Sequence, residues 1–324
     1  MAPWLHTLTA LGCLGLTPAI AQDQAYPSRP IRIVVSAAPG GATDILARTI
    51  GQRLAIAWNQ QVIVENKPGA NTQLAAEFVA HAPPDGHTLM VTAEVTFVVN
   101  PHLYSKLLYD PVRDFVPVSG LATVNHTLVA HPSLPAQNIR ELIALAKAKP
   151  GELNYATLGI GSAAHLNMEM FQRMAGVKLT AVHYRGATPA LIDVIAGHVP
   201  MMFVNLGNAM AAWKDGKVKA LAVASPQRLA RFPELPTVAE SGVPGFSAGS
   251  WFGLFAPGGT PGAVVTRINA EVQRILADPD YREKILAPNV LEPVAGSPAQ
   301  YTEMIRTDAR KWGEVIRAAG IKVE

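Results

Sequence analysis

The sequence predicts an α/β chain folded as two lobes, each a mainly parallel sheet flanked by helices. Three observations predict it. Short β-branched runs alternate with amphipathic helical stretches along most of the chain. Each half contains a strand that leads through a glycine-rich turn into a helix, at residues 37–43 and 158–162. The 324 residues also suffice for two ordinary domains.

In order along the chain, Ile31, Arg32, Ile33, Val34 and Val35 form a strand that Pro30 precedes acceptably. After the turn at 37–43, a helix is expected over about 44–57, with Ile45, Leu46, Thr49, Ile50 and Leu54 on one face. Residues 62–64 are a second strand, broken by Asn66-Lys67-Pro68-Gly69, and 74–80 are helical. A third strand covers 88–92, after the turn Pro83-Pro84-Asp85-Gly86. This β-α-β-α-β run implies parallel pairing with right-handed crossovers. A second such run follows. Residues 128–130 are a strand, and Ile139, Leu142, Ile143 and Ala146 keep helical spacing until Pro150-Gly151. Residues 153–157 are a strand, followed by the turn at 158–162 and a helix to about 174. Strands at 179–183, 201–205 and 219–223 enclose a helix at 189–196. A strand at 251–256 precedes two amphipathic helices, one carrying Val264, Val265, Ile268, Val272 and Ile275, the other over 301–319. There is no low-complexity segment or short repeat.

Composition narrows the function. Hydrophobic residues at 49% exclude a disordered chain, and the polar residues between them exclude a multi-span membrane protein. Lys+Arg 27 against Asp+Glu 24 gives +3 with no basic cluster, which argues against nucleic-acid binding. The single cysteine, Cys13, excludes an intrachain disulfide framework. Residues 8–16 are a short apolar run followed by Ala19-Ile20-Ala21, so residues 1–21 read as a cleaved signal peptide although no Lys or Arg precedes the run. A buried N-terminal helix and a lipobox at Leu11-Gly12-Cys13 are the competing readings. Cleavage after Ala21 removes Cys13 and fits export to an oxidising compartment.

The two glycine-rich turns carry the chemistry. A strand-to-helix turn leaves backbone N–H groups free at a helix N-terminus, where the macrodipole favours an anion. Gly40 and Gly41 permit close approach in the first turn, with Thr43 or Asp44 as the expected cap; Gly159, Gly161 and Ser162 do the same in the second. Either turn alone is explained by glycine geometry, whereas the pair places one helix N-terminus from each half on a common anion. There is no G-x-G-x-x-G after the first strand and no G-x-x-x-x-G-K-[ST]. Nine histidines show no His-x-x-x-His pair. No catalytic residue, metal or cofactor is therefore expected. Met168, Met170 and Met174 read as packing residues. Ser162 and His165, one helical turn apart, leave an exported hydrolase as the alternative function.

From Tyr26 onward the chain resembles the Bug, or TctC-like, extracytoplasmic solute receptors of tripartite tricarboxylate transport systems. The resemblance rests on ordered stretches that include Ala38-Pro39-Gly40-Gly41-Ala42-Thr43-Asp44, Glu65-Asn66-Lys67-Pro68-Gly69-Ala70, Tyr109-Asp110-Pro111-Val112-Arg113-Asp114-Phe115, Gly159-Ile160-Gly161-Ser162 and Trp251-Phe252-Gly253-Leu254. It implies a two-lobed periplasmic-binding-protein fold, type II-like, with residues 26–123 plus 247–324 as the first lobe and 124–246 as the second. It also implies a periplasmic, monomeric receptor whose two turns hold a small carboxylate, either an amino acid or a di- or tricarboxylate. The partners would be the membrane subunits of a tripartite transporter or a sensor kinase. The ligand-binding set is then Ala37, Ala38, Gly40, Gly41, Thr43, Asp44, Glu94, Thr96, Gly161, Ser162, Ala163, His165 and Asn205. Three departures bear on the ligand. Asn71-Thr72 replaces two glycines, Glu94 lies in a stretch that is usually small and polar, and Pro200 and Val204 stand where family members often show Asp. Glu94 either faces solvent or lines the cleft opposite a ligand ammonium.

Overall fold

Burial of the β-branched runs builds two sheets in the computed structural model, which describes residues 26–322. The expected signal peptide and Cys13 lie outside the described residues. The first sheet has the strand order β11-β4-β10-β3-β1-β2. Its members are β1 (Ile31–Val35), β2 (Val62–Asn66), β3 (Thr88–Ala93), β4 (Phe115–Val124), β10 (Ser250–Pro257) and β11 (Leu291–Pro293). The second has the order β7-β6-β8-β5-β9, from β5 (His126–Ala130), β6 (Asn154–Thr157), β7 (Thr180–His183), β8 (Met201–Asn205) and β9 (Lys219–Val223). The β1–β2, β1–β3, β6–β7 and β6–β8 pairs are parallel, as the alternating pattern predicts. In the first sheet β10 runs against both β3 and β4, and β11 runs against β4; in the second β5 runs against both β8 and β9. Both sheets are therefore mixed.

The helices are α1 (Ala42–Trp58), α2 (Gln73–Ala80), α3 (Asn100–Leu103), α4 (Ile139–Ala148), α5 (Ala163–Ala175), α6 (Ala187–Ile195), α7 (Leu206–Lys214), α8 (Gly262–Ala277), α9 (Pro279–Tyr281) and α10 (Pro298–Ala319). Several elements depart from the sequence reading, the short β11 and α9 among them, and three set the geometry of the cleft. The ten-residue β4 was not expected, because Pro117, Ser119 and Gly120 interrupt both alternation and apolar continuity. Helix α7 follows β8 without a loop, started by Asn205, whose side chain accepts from the Gly207 N–H. The stretch after β3 turns at once into a wide helical turn, Val95–Val99, which runs into α3. One face of the first sheet packs Ile31, Ile33 and Val35 against Leu46, Ile50 and Leu54 of α1 and Ile268 and Val272 of α8. The other face, through Val34 and Met90, shares a core with Leu128, Phe171 and Phe203 of the second lobe and with Trp312, Val315 and Ile316 of α10.

The chain changes sheets twice. Asn125 separates β4 from β5, and Gly249 separates Ala248, bonded to Ala224 on the second-sheet side, from Ser250, which pairs with Val124. Since β4 runs with β3 and exits at Val124, the C-terminal ends of β1, β2 and β3 lie on the crossover edge. In the second sheet His126 pairs with Asn205, so β8, and with it β6 and β7, also ends on that edge. The strand-to-helix turns of the two lobes thus face each other.

Packing against α10 gives a direct test of this arrangement. A Cβ on Gly253 of β10 would overlap the phenol of Tyr301, which is buried and whose hydroxyl has no hydrogen-bond partner among the described residues. Gly253→Ala is expected to cost roughly 1–3 kcal/mol by overpacking. Tyr301→Phe removes an unpaired buried hydroxyl and is expected to be neutral or stabilising. Urea denaturation reads both, and a Gly253→Ala protein as stable as wild type would show that β10 and α10 do not pack in this register.

Candidate functional site

The first turn leaves β1 at Ser36 and opens α1. Gly40 takes φ +88°, a conformation glycine adopts without strain, and Gly41 is the N-cap without a side-chain bond. The expected capping by Thr43 or Asp44 is corrected. The helix starts two residues earlier, and the buried Asp44 reaches back to accept from the Gly40 N–H at 3.0 Å. Asp44 also accepts from Arg48 Nε at 3.0 Å and Asn66 Nδ2 at 2.9 Å. Burial alone would raise its pKa, but the bonds from Arg48, Gly40 and Asn66 outweigh it and hold the carboxyl below its ordinary range. Asp44 therefore staples the turn. Ala37 offers its carbonyl to Asn66, Ala38 is exposed, and Thr43 is buried with no hydrogen bond from its hydroxyl among the described residues. Helical bonding begins at the Ile45 N–H, which leaves the N–H groups of Ala42, Thr43 and Asp44 without intrahelical acceptors.

The second turn follows β6 and opens α5. Ser162 is its N-cap: Oγ accepts from the His165 N–H at 3.3 Å and donates to the Gly159 carbonyl at 2.7 Å. The His165 ring does not face Ser162. Its Nδ1 accepts from the Gly161 N–H at 3.1 Å, while Nε2 lies 3.8 Å from Glu169, which Tyr155 and Gln172 also hold. Burial keeps His165 neutral, with a lowered pKa that Glu169 only partly offsets. His165 is thus a buttress beneath the turn, and the Ser162–His165 hydrolase arrangement is not formed. The glycine N–H groups of Gly40 and Gly161, expected as ligand donors, are occupied; the free donors lie in the helices' first turns and include Ala163 and Ala164. Gly161, at φ +73°, lies against Leu103 of the other lobe, where a Cβ would collide with the leucine side chain.

At the C-terminal ends of β1 and β3 lies a chain of hydroxyls that the sequence reading missed, apart from Thr96. Ser36 Oγ is 2.7 Å from Thr92 Oγ1, Thr92 is 2.6 Å from Thr96, and Thr96 is 2.8 Å from Thr72. Asn100 joins it, accepting from Asn71 Nδ2 at 2.7 Å and donating to the Asn71 carbonyl at 2.7 Å. Ala70, Asn71 and Thr72 all take positive φ, at +45°, +50° and +77°. Asparagine tolerates this, but a β-branched threonine pays roughly 1–3 kcal/mol for it. The replacement of two glycines was the available signal.

A family model, described as "Tripartite tricarboxylate transporter family receptor", matches residues 46–321. The chain belongs to this family. It is 37% identical to "UPF0065 protein in tcbD-tcbE intergenic region" of Pseudomonas sp. (strain P51), over 90% of this chain and 87% of that one. Among solved structures it resembles R. palustris Rpa4515 with adipate, at 35% identity and a TM-score of 0.82, covering 92% of this chain and 100% of that one. It also resembles MatC (Rpa3494) from Rhodopseudomonas palustris with bound malate, at 35% identity and a TM-score of 0.76, covering 90% and 100%.

In this receptor Glu94 does not face solvent, which overturns the outward alternative. It is 4% exposed, its carboxylate accepts from the Trp251 N–H at 3.3 Å, and Ser250 bonds it as well. It is therefore tied to the returning crossover strand. Burial pushes its pKa up to about 7, with Asp308 adding to the rise and the Ser250 and Trp251 bonds opposing it. Asn205 is the cap of α7. A surface groove of about 710 Å³, lined by Arg32, Lys67, Leu74 and Phe78 among others, lies on the first lobe away from both turns.

The raised pKa has a signed consequence. A carboxyl with a folded pKa near 7 and an ordinary value of 4.5 is fully tolerated below pH 4.5, and its contribution is lost as pH rises through 7. His126, pushed down to about 4 by burial, and His165 act oppositely, so wild type alone does not isolate the effect. The difference in melting temperature between Glu94→Gln and wild type should grow between pH 4.5 and 7 in favour of the variant, then level off. A difference independent of pH would show that Glu94 is not a buried titrating group.

Proposed function

We propose that the protein captures a small carboxylate in the cleft between its lobes, in the periplasm, and presents it to the membrane subunits of a tripartite transporter. One observation carries this reading: a strand, glycine turn and helix N-terminus from each lobe open on the crossover edge, where Leu103 of α3 lies against Gly161 of the second turn. The N–H groups of Ala42, Thr43, Asp44, Ala163 and Ala164 have no backbone acceptors and are the donors this reading assigns to a carboxylate, with the helix dipoles adding to them. Adipate and malate in the similar structures support a dicarboxylate. We divide the lobes at the two crossovers, taking 26–123 plus 247–324 as one and 124–246 as the other. Contacts such as Leu103 on Gly161 exist only when the lobes are together, so a ligand that bridges both turns shifts the population towards closure.

A thermal-shift series with malate, adipate, citrate and aspartate tests the proposal. At a hundredfold excess over Kd, binding adds about 2.7 kcal/mol of stability. Gly161→Ala, by wedging Leu103 away, should reduce the shift for any ligand that raises the melting temperature of wild type. Absence of a shift with every acid would overturn the carboxylate reading.

A further inference from the structure

We propose that Thr72 determines ligand specificity by orienting the buried hydroxyl chain, so that Ser36 presents its O–H to the ligand carboxylate. This rests on the carboxylate reading above. Four hydroxyls joined by three hydrogen bonds have four protons, and three are spent inside the chain. One proton is left at one end. Among the described residues the Thr92 and Thr96 hydroxyls have no other partner, so the leftover proton belongs to Ser36 or to Thr72.

Asn100 decides between them. The Asn71 carbonyl can only accept, so the Asn100 atom 2.7 Å from it is the amide nitrogen. That same Nδ2 lies 3.4 Å from both Thr72 Oγ1 and Tyr109 Oη, so its second proton is shared between them and Thr72 stands on the accepting side of this pair. A hydroxyl that accepts becomes the stronger donor, so the polarisation runs Thr72 to Thr96 to Thr92 to Ser36. Ser36 follows β1 directly and opens the turn that leads into the free N–H groups of α1. The chain thus delivers one extra neutral donor to the place where those N–H groups gather.

The strain at Thr72 is a second, independent observation. A glycine at φ +77° would cost nothing, and its replacement by a β-branched residue gains only the hydroxyl bonded to Thr96. Strain held at such a position is the mark of a functional side chain.

Calorimetry with malate and adipate on wild type, Thr72→Gly, Thr72→Ser, Ser36→Ala and the Ser36→Ala/Thr72→Gly double variant tests this. Thr72→Gly and Ser36→Ala are each expected to weaken binding about tenfold, the loss of one hydrogen bond to a charged group. The double variant should lose no more than the weaker single variant, since both cut the same chain. Thr72→Ser keeps the hydroxyl and should stay within about threefold of wild type, and ligand-free Thr72→Gly should melt no lower than wild type. Thr72→Gly binding both acids like wild type, losses that multiply in the double variant, or Thr72→Ser failing as badly as Thr72→Gly would each overturn the assignment. Wild type binding neither acid would instead overturn the carboxylate reading, and this inference with it.

Discussion

The ladder between β4 and β10 governs the geometry of the molecule. It runs from Pro257 opposite Phe115 to Ser250 opposite Val124, and both strands meet the other lobe at the same end. Two crossings side by side form a short double hinge, and they leave the lobes one main way to approach. Because β10 also pairs with β3, the end of β3 and the segment after it are tied to the hinge, and Glu94 adds a side-chain bond to the Trp251 N–H. The wall that carries Thr92 and Thr96 therefore moves with the hinge strand rather than independently of it. Helix α10 reinforces the joint, with Trp251 donating to Asp308 and Trp312 buried in the core shared by both lobes.

Recognition in the cleft is built without a buried cation. Among the described residues the buried polar ones include serines, threonines, asparagines and histidines together with Asp44 and Glu94, and no lysine or arginine. A carboxylate in such a site is stabilised by oriented N–H groups and hydroxyls, whose geometry is fixed before the ligand arrives. The buttresses do this fixing. Asp44 holds the first turn from below, and His165, backed by Glu169, holds the second. The two histidines beneath the second lobe's cleft edge, His126 and His165, are kept neutral by burial, so they add no positive charge to compete with the turns.

The β-α-β-α-β run and both glycine turns were legible because each is local: alternation, period and turn chemistry lie within a few residues. Strand β4 was not, since Pro117 and Gly120 are tolerated only through its pairing with β10 and β11, which come from more than a hundred residues away. The same holds within the site. Asp44 and Ser162 could be named from the sequence, but their roles depend on which atoms they meet: Asp44 binds the turn it follows, and Ser162 spends its proton on Gly159. Ser36, Thr72 and Thr92 sit in three separate segments. Only the parallel register, which sets Val35 beside both Asn66 and Val91, brings the strand ends that precede them together.

That register also explains why a turn with three consecutive positive φ values survives. The segment from Asn66 to α2 must return over the strand ends within a few residues, and Lys67 still pairs with Val35 through its N–H. Left-handed backbone at Ala70, Asn71 and Thr72 reverses the chain in the available space. With glycines the same reversal would be free of strain but would leave Thr96 and Asn100 facing bare backbone. With Asn71 and Thr72 the reversal costs backbone energy, and the side chains recover part of it through the bonds to Asn100 and Thr96. The turn is therefore rigid for the same reason that it is strained. Only the left-handed backbone puts both side chains within reach of their partners, and those partners are what holds the backbone there.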